Sequence, residues 1–193
     1  MQTLAQIAIY IINTLGSIYL FIVVLRFLLQ LVRADYYNPI SRVIVKATNP
    51  PLIPLRKIIP GFWGVDFACL VLGLLIKMMV LQVIILIAGY GWQNPLLLLP
   101  WGLLGIVKLV ATTYFWGLII MVIASWVAPY SQNPGLSLLR QLIEPTLAPL
   151  RKVLPNLGGL DLSPMIALMA LHIFNLYIMP ALASAVNAPV GLL

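Results

Sequence analysis

Two Arg-Lys pairs, each followed by an aspartate, are the residues of this chain best placed to do chemistry. Arg56-Lys57 precedes Asp66, and Arg151-Lys152 precedes Asp161. Basic groups beside a membrane can hold an anionic head group or an acidic partner segment, with the Asp positioning them. The same residues also have a simpler use. Asp66 and Asp161 can cap the helix that follows, and basic residues flanking a span fix its orientation. Both readings stand on the sequence. A second polar set lies inside apolar stretches: Lys77 with His172, and Asn13 with Lys108, each pair 95 positions apart. Lys77 and His172 each fall 11 residues past their Asp, about 16 Å down a helix at 1.5 Å per residue. At that depth an ionisable group either faces the bundle interior and is hydrogen-bonded, or marks an ion or proton path. Gln82, Asn175, Thr112, Thr113, Ser125 and Ser184 add polarity there. With no carboxylate in any span interior, His172 is expected to be a neutral hydrogen-bonding contact between helices, and Lys77 the residue reached by internal water.

The chemistry absent from this chain is equally informative. It has no nucleophile–His–acid set, no paired intramembrane carboxylates and no glycine-rich phosphate loop, so a non-enzymatic role is expected. The single cysteine, Cys69, excludes an internal disulfide and a Cys-cluster metal site; ordinary packing is its expected role. A lone His172 could ligate haem, but nothing in one chain supplies a second ligand. No metal or cofactor is expected.

The elements that carry these residues must be membrane helices. Hydrophobic residues make up 63% of the 193 positions and charged residues 8%, with mean hydropathy +1.09, where a soluble domain would carry about a quarter charged residues. Four stretches are long enough to cross about 30 Å of hydrocarbon: 7–32, 67–89, about 106–128, and 162–186. The segment from Leu96 to Gly105, with Pro100 and Trp101, is expected to lie along the outer interface, because a 33-residue apolar run exceeds one crossing. Arg33, Arg42, Lys46, Arg56 and Lys57 occupy the first long loop and Arg140, Arg151 and Lys152 the second, while the ends and the 90–95 hairpin carry no Lys or Arg. The positive-inside rule places both loops in the cytoplasm and both termini outside. The net charge of +7 therefore points to anionic lipid head groups and not to nucleic acid. The N-terminus lacks a basic n-region, so the first span is expected to be retained and not cleaved as a signal.

The chain also repeats itself. Residues 38–66 and 133–161 align without a gap and share 11 of 29 positions: Asn, four Pro, two Leu, Arg, Lys, Gly and Asp. Two spans per copy give both copies the same orientation, a parallel repeat about an axis along the membrane normal. The predicted architecture is all-α, with four transmembrane helices in two parallel repeats, 1–95 and 96–193. Each repeat carries a cytoplasmic amphipathic helix and a Pro-rich loop. Asn38-Pro39 and Asn133-Pro134 are helix starts, Asn capping and Pro fitting the first turn. Ile40, Val43 and Ile44 are expected on the apolar face of the first surface helix, with Leu136, Leu138, Leu139, Leu142 and Ile143 their counterparts in the second. The prolines from Pro50 to Pro60 and Pro145 to Pro155 are expected to break the helix into an irregular, stiff path, closing on Gly64 and Gly159.

This double pattern, Asn-Pro, then Pro-x-x-x-Pro-Leu-Arg-Lys-x-x-Pro, then Gly-x-Asp, resembles the YggT family of bacterial integral membrane proteins and its YlmG-type plastid relatives, over essentially the whole chain. The family pattern commonly continues Ser-Pro after the Asp. The second copy keeps it as Ser163-Pro164, while the first has Ala68-Cys69. The resemblance implies a small multi-pass protein of the plasma (inner) membrane linked to osmotic or envelope stress and, in plastid relatives, to membrane-complex assembly and nucleoid organisation. It brings no agreed molecular activity. Anionic lipids, other membrane proteins and further copies of the chain are the partners these surfaces could reach. Two functional readings follow: a scaffold or assembly factor working through its basic loops, or a small transporter or channel component using the polar residues of the spans.

Overall fold

The structure, a computed structural model, describes residues 2–61, 64–153 and 161–188. In chain order it runs α1 (Gln2–Leu31), α2 (Pro39–Ile58), α3 (Phe67–Ile87), α4 (Pro95–Val127), α5 (Pro134–Val153), α6 (Ser163–Ile173), a π-helical turn (Phe174–Ile178) and α7 (Met179–Ala185). Four helical rods are long and apolar enough to cross a bilayer: Thr3–Leu31, Phe67–Ile87, Pro95–Val127 and Ser163–Ala185, the last combining α6, the π turn and α7. The chain is an all-α, multi-pass membrane protein in which a span, a surface helix and a span occur twice. Pro155 and Gly159 of the repeated pattern lie outside the described residues.

The surface helices begin where the Asn-Pro pairs dictate. Asn38 Oδ1 accepts from the Ile40 amide at 2.9 Å, and Asn133 Oδ1 from the Gly135 amide at 2.8 Å. Past that point the structure corrects two expectations. The prolines do not break these helices: α2 runs through Pro50, Pro51 and Pro54, and α5 through Pro145 and Pro149. Pro50 and Pro54, like Pro145 and Pro149, are one turn apart and exposed, so their rings point away from the bundle. A carbonyl that loses its amide partner can be satisfied from elsewhere. Pro51 cannot donate to Ala47, and the Tyr19 hydroxyl of α1 donates to that carbonyl instead, at 3.4 Å. Second, residues 96–105 do not lie flat as a separate interfacial piece. They are the first turns of α4, continuous through Pro100. Trp101 is buried there against Leu81, Ile85, Leu98 and Ala188, and its indole N–H donates to the Val186 carbonyl at 3.0 Å. That packing holds the segment in the bundle, and a helix of this length fits a bilayer by tilting or by emerging from it.

The buried line of α2 is Ser41, Ile44, Thr48 and Leu52, a spacing of three and four that faces one side. Of the residues expected on its apolar face, Ile44 is buried against the bundle while Val43 is 68% exposed. In α5 the buried set is Leu138, Leu142, Ile143 and Leu147.

Within the bundle α1 packs on α3, α3 on α4, and α4 on α6. Glycines allow the close approaches. A Cβ on Gly16 would lie 2.4 Å from Val80 Cγ2, and one on Gly102 2.8 Å from Leu74 Cδ1. Small residues at helix contacts are how membrane helices gain van der Waals packing. The two halves also touch where the surface helices begin. Asn38 Nδ2 donates to the Pro134 carbonyl at 2.8 Å, and the Asp35 amide to Gln141 Oε1 at 2.7 Å.

The halves differ in their last span. The π turn precedes Pro180, which cannot donate to the Leu176 carbonyl, and the Met179 amide reaches back to Phe174. The aligned stretch of α3 has Ile85 where Pro180 stands and stays α-helical.

Candidate functional site

At the basic end of the bundle each repeat makes the same clasp. In the first, Arg56 near the end of α2 binds Asp66, with Nε 3.1 Å from Oδ2 and Nη2 also bonded to it. The other carboxylate oxygen accepts from the Cys69 amide at 3.2 Å, capping α3. One carboxylate thus caps the span and anchors the surface helix. In the second repeat Arg151 Nε lies 2.7 Å from Asp161 Oδ2, and Asp161 Oδ1 accepts from the Ser163 amide at 2.9 Å. Arg151 also bonds Glu144. Gly64, on the connection between α2 and Asp66, has φ +79°, a left-handed conformation that explains why glycine is placed there.

The clasps differ in their surroundings. Asp66 is 4% exposed and Asp161 42%. Burial slightly opposes ionisation of Asp161, but hydrogen bonds from Ser163 and the Arg151 guanidinium outweigh it and hold the carboxyl below its usual range. Its hydrogen bond to Asp161 pushes Arg151 up. Lys57 and Lys152 are exposed, and among the described residues neither forms an ion pair. The surface helices touch at their starts, whereas Arg56 and Arg151 lie near their far ends, about 25 Å along each helix. Each basic pair supplies the arginine of its own repeat's clasp.

The residue that sequence reasoning passed over is Arg26. In the structure its side chain is 7% exposed, and it ties α1 to α2. Its Nη1 reaches the Val45 carbonyl at 3.1 Å, Asn49 Oδ1 at 2.8 Å and Thr48 Oγ1 at 2.5 Å. The second repeat has Met121 at the aligned position and Ile143 for Thr48, and these two pack together with Leu118, Leu147 and Ala167. An arginine inside an apolar span, unmatched in the other copy, was the available signal.

The duplication is matched by comparison with known proteins. A family model described as CCB3/YggT fits residues 5–88 and again 100–182. The chain belongs to the CCB3/YggT family. Among YggT-like relatives, the uncharacterized protein PA0392 of Pseudomonas aeruginosa is 52% identical over 183 residues, covering 94% of this chain and 93% of that one. A Vibrio alginolyticus protein encoded in the proC 3′ region is 40% identical, covering 86% of this chain and 90% of its own. YggT of Escherichia coli K12 is 33% identical, covering 92% of each. No solved structure matches the chain.

Among the polar residues inside the spans of this YggT-family chain, Lys77 and Lys108 come near one another between α3 and α4, while His172 stands apart. Lys77 is 8% exposed, and its stem lies in a notch of α4 where a Cβ on Gly105 would come within 2.5 Å of its Cε. Lys108, one turn on from Gly105 in α4, and Asn13 in α1 are partly buried. His172 is exposed on α6, its ring stacked on Phe115 with centroids 6.2 Å apart. The interhelical hydrogen bond expected of it is not made among the described residues, because the phase of α6 turns it to the periphery. Two buried amide atoms, Gln82 Nε2 and Asn175 Oδ1, have no hydrogen-bond partner. Asn175 lies in the π turn, while the Gln82 carbonyl oxygen accepts from the Gln93 amide at 3.2 Å. Cys69 is buried, its Sγ 3.4 Å from the Val23 carbonyl.

Proposed function

We propose that this YggT-family chain is a non-enzymatic scaffold or assembly factor of the plasma (inner) membrane, serving under osmotic or envelope stress. Its basic loops face the cytoplasm and engage anionic lipids or partner membrane proteins. The observation that carries this reading is the duplicated Arg–Asp clasp. It fixes a surface helix to the head of a span in each half and leaves Lys57 and Lys152 exposed beside it. Repeated and preserved geometry thus lies where lipids and partners are met. The transporter reading finds less support, since Lys77 lies packed over Gly105 while its repeat counterpart His172 stands at the periphery, so this symmetric pair does not line one path.

Orientation is the first test. Reporter fusions or cysteine labelling at Gly91 and Lys152 are expected to report opposite sides of the membrane, and labelling from the same side would refute the four-span topology. For function, a bacterium lacking its YggT-family protein would be complemented with the wild type and with Arg56, Lys57, Arg151 and Lys152 all changed to Gln. Lost tolerance of osmotic shock and lost crosslinks to neighbours are the expected result, and the pair Lys57→Gln with Lys152→Gln, which keeps both clasps, is expected to show the same losses at wild-type membrane abundance. Full complementation by the fourfold variant, or ion conduction by the purified protein in liposomes, would overturn the scaffold reading.

A further inference from the structure

A cavity of about 410 Å³ opens at the basic end of the first repeat, between the last turns of α1 and the surface helix α2. Three guanidinium groups line it: Arg26, Arg33 and Arg56, with Gln30, Tyr36 and Ser41 among the other lining residues. Its volume falls within the range of small-ligand pockets, about 300–1,000 Å³. Only one of the three positive charges is answered, since Asp66 binds Arg56 and among the described residues neither Arg26 nor Arg33 forms an ion pair.

Arg26 is the decisive group. A buried charge is costly unless paired, yet Arg26 is 7% exposed and, among the described residues, makes no ion pair of its own, Asp66 being bonded to Arg56. Among the described residues all three of its hydrogen bonds use Nη1 and go to neutral acceptors, with none made by Nε or Nη2, and Arg26 lines the cavity. Arg33 adds a second oddity. It lies two residues past the end of α1, with φ +54°, and the Ala34 amide reaches back to the Leu29 carbonyl at 2.9 Å. That is a left-handed helix stop, where glycine is ordinarily favoured, and the chain places an arginine there beside the cavity instead. The second repeat lacks the arrangement, having Met121 and Ala128 at the aligned positions.

We propose that this cavity binds a phosphate group, held by Arg26 and Arg33 with the free edge of Arg56, so that the first repeat carries a specific anion site and the second does not. Guanidinium forks match phosphate oxygens two at a time. Arg26 lies five residues before the end of α1, about 7.5 Å along the helix, a depth reached both by a phospholipid head group and by a soluble phosphate. The site deepens the scaffold reading by naming the chemistry of one contact in its basic loops.

The test uses purified full-length protein in detergent and in vesicles. Thermal unfolding would be followed with inorganic phosphate against matched sodium chloride, and retention of phosphatidylglycerol against phosphatidylcholine by native mass spectrometry. Two variants separate binding from folding. Arg26→Met combined with Thr48→Ile copies the apolar packing of the second repeat, and Arg33→Gly relieves the left-handed backbone. Both are expected to fold, Arg33→Gly with unchanged or raised stability, and both to bind the anion roughly tenfold more weakly or worse, the loss that follows removal of a charge-assisted hydrogen bond. Stabilisation by inorganic phosphate that both variants lose supports a soluble ligand. Selective retention of phosphatidylglycerol that both lose supports a lipid. If neither probe acts beyond its control, or Arg33→Gly binds like wild type, the site does not exist. A double variant that fails to fold leaves Arg33→Gly to decide. Binding that is intact while the Gln loop variant complements fully would sink the scaffold reading and spare the site.

Discussion

Replacing Asp66 with Ala should destabilise this protein far more than replacing Asp161 with Ala, although the two residues are aligned in the repeat and bind the same partner. Asp66 is buried, takes two bonds from Arg56 and caps α3 through the Cys69 amide. Its loss removes a cap and strands a guanidinium that remains 40% exposed, for a cost of about 2–4 kcal/mol. Asp161 is 42% exposed and shares Arg151 with Glu144, so its removal should cost less than about 1 kcal/mol. The pH dependence of the second clasp follows from its carboxyl being held below the ordinary value of 3.8. A depressed carboxyl stabilises the fold at neutral pH, continues to do so as pH falls to that value, and loses the contribution only below it. Arg151 is raised above the ordinary arginine value by its bond to Asp161, so its contribution is complete at every working pH. Thermal unfolding of both variants in the same detergent, at pH 7 and below pH 4, checks this. Equal shifts at pH 7 would show that burial does not set the difference.

Gly16→Leu should be the most damaging single change within the spans. A Cβ alone at Gly16 would stand 2.4 Å from Val80 Cγ2, so the remaining atoms of Leu must push α1 off α3. Overpacking of this kind costs about 1–3 kcal/mol or more, and α1 on α3 is the main contact of the first repeat. Gly73→Ala on α3 is the matched control. Its Cβ would meet Leu20, Ile106 and Val23 side chains at 3.6 to 3.8 Å, ordinary contact distances, and helix propensity favours Ala over Gly by about 1 kcal/mol. Gly73→Ala is therefore expected to be neutral or stabilising. Loss of the monodisperse peak in size-exclusion chromatography for Gly16→Leu but not for Gly73→Ala is the expected result.

Much of this was readable from the chain because the repeat preserves the residues that fix backbone geometry. Asn38-Pro39 and Asn133-Pro134 begin helices for the reason given by their chemistry. The same signal at Asn94-Pro95 begins α4, where Asn94 Oδ1 accepts from the Leu96 amide at 3.0 Å, yet the length of the apolar run argued for a later start. Proline was misjudged in α2 and α5 because the rule concerns a missing amide, and whether another group reaches the released carbonyl is decided by tertiary contact. Tyr19 supplies one to Ala47. The Arg56–Asp66 pair was legible from spacing, but its burial was not. Arg26 shows the same limit, since its acceptors Val45, Thr48 and Asn49 sit about 20 residues away and become neighbours only when α2 folds back on α1.

The prolines of α2 also say something about the order of events during biogenesis. Each spanning helix satisfies its own amides and is stable once inserted, whatever its neighbours do. A 20-residue surface helix with Pro at 50, 51 and 54 has no such autonomy, since each interior proline costs about 3 kcal/mol and even good sequences of that length are marginal alone. It must wait for Tyr19 and Arg26 on the first span and for Asp66 at the head of the next. Its formation is therefore the last step in the maturation of the first repeat, and its unwinding the first sign that the two spans have come apart.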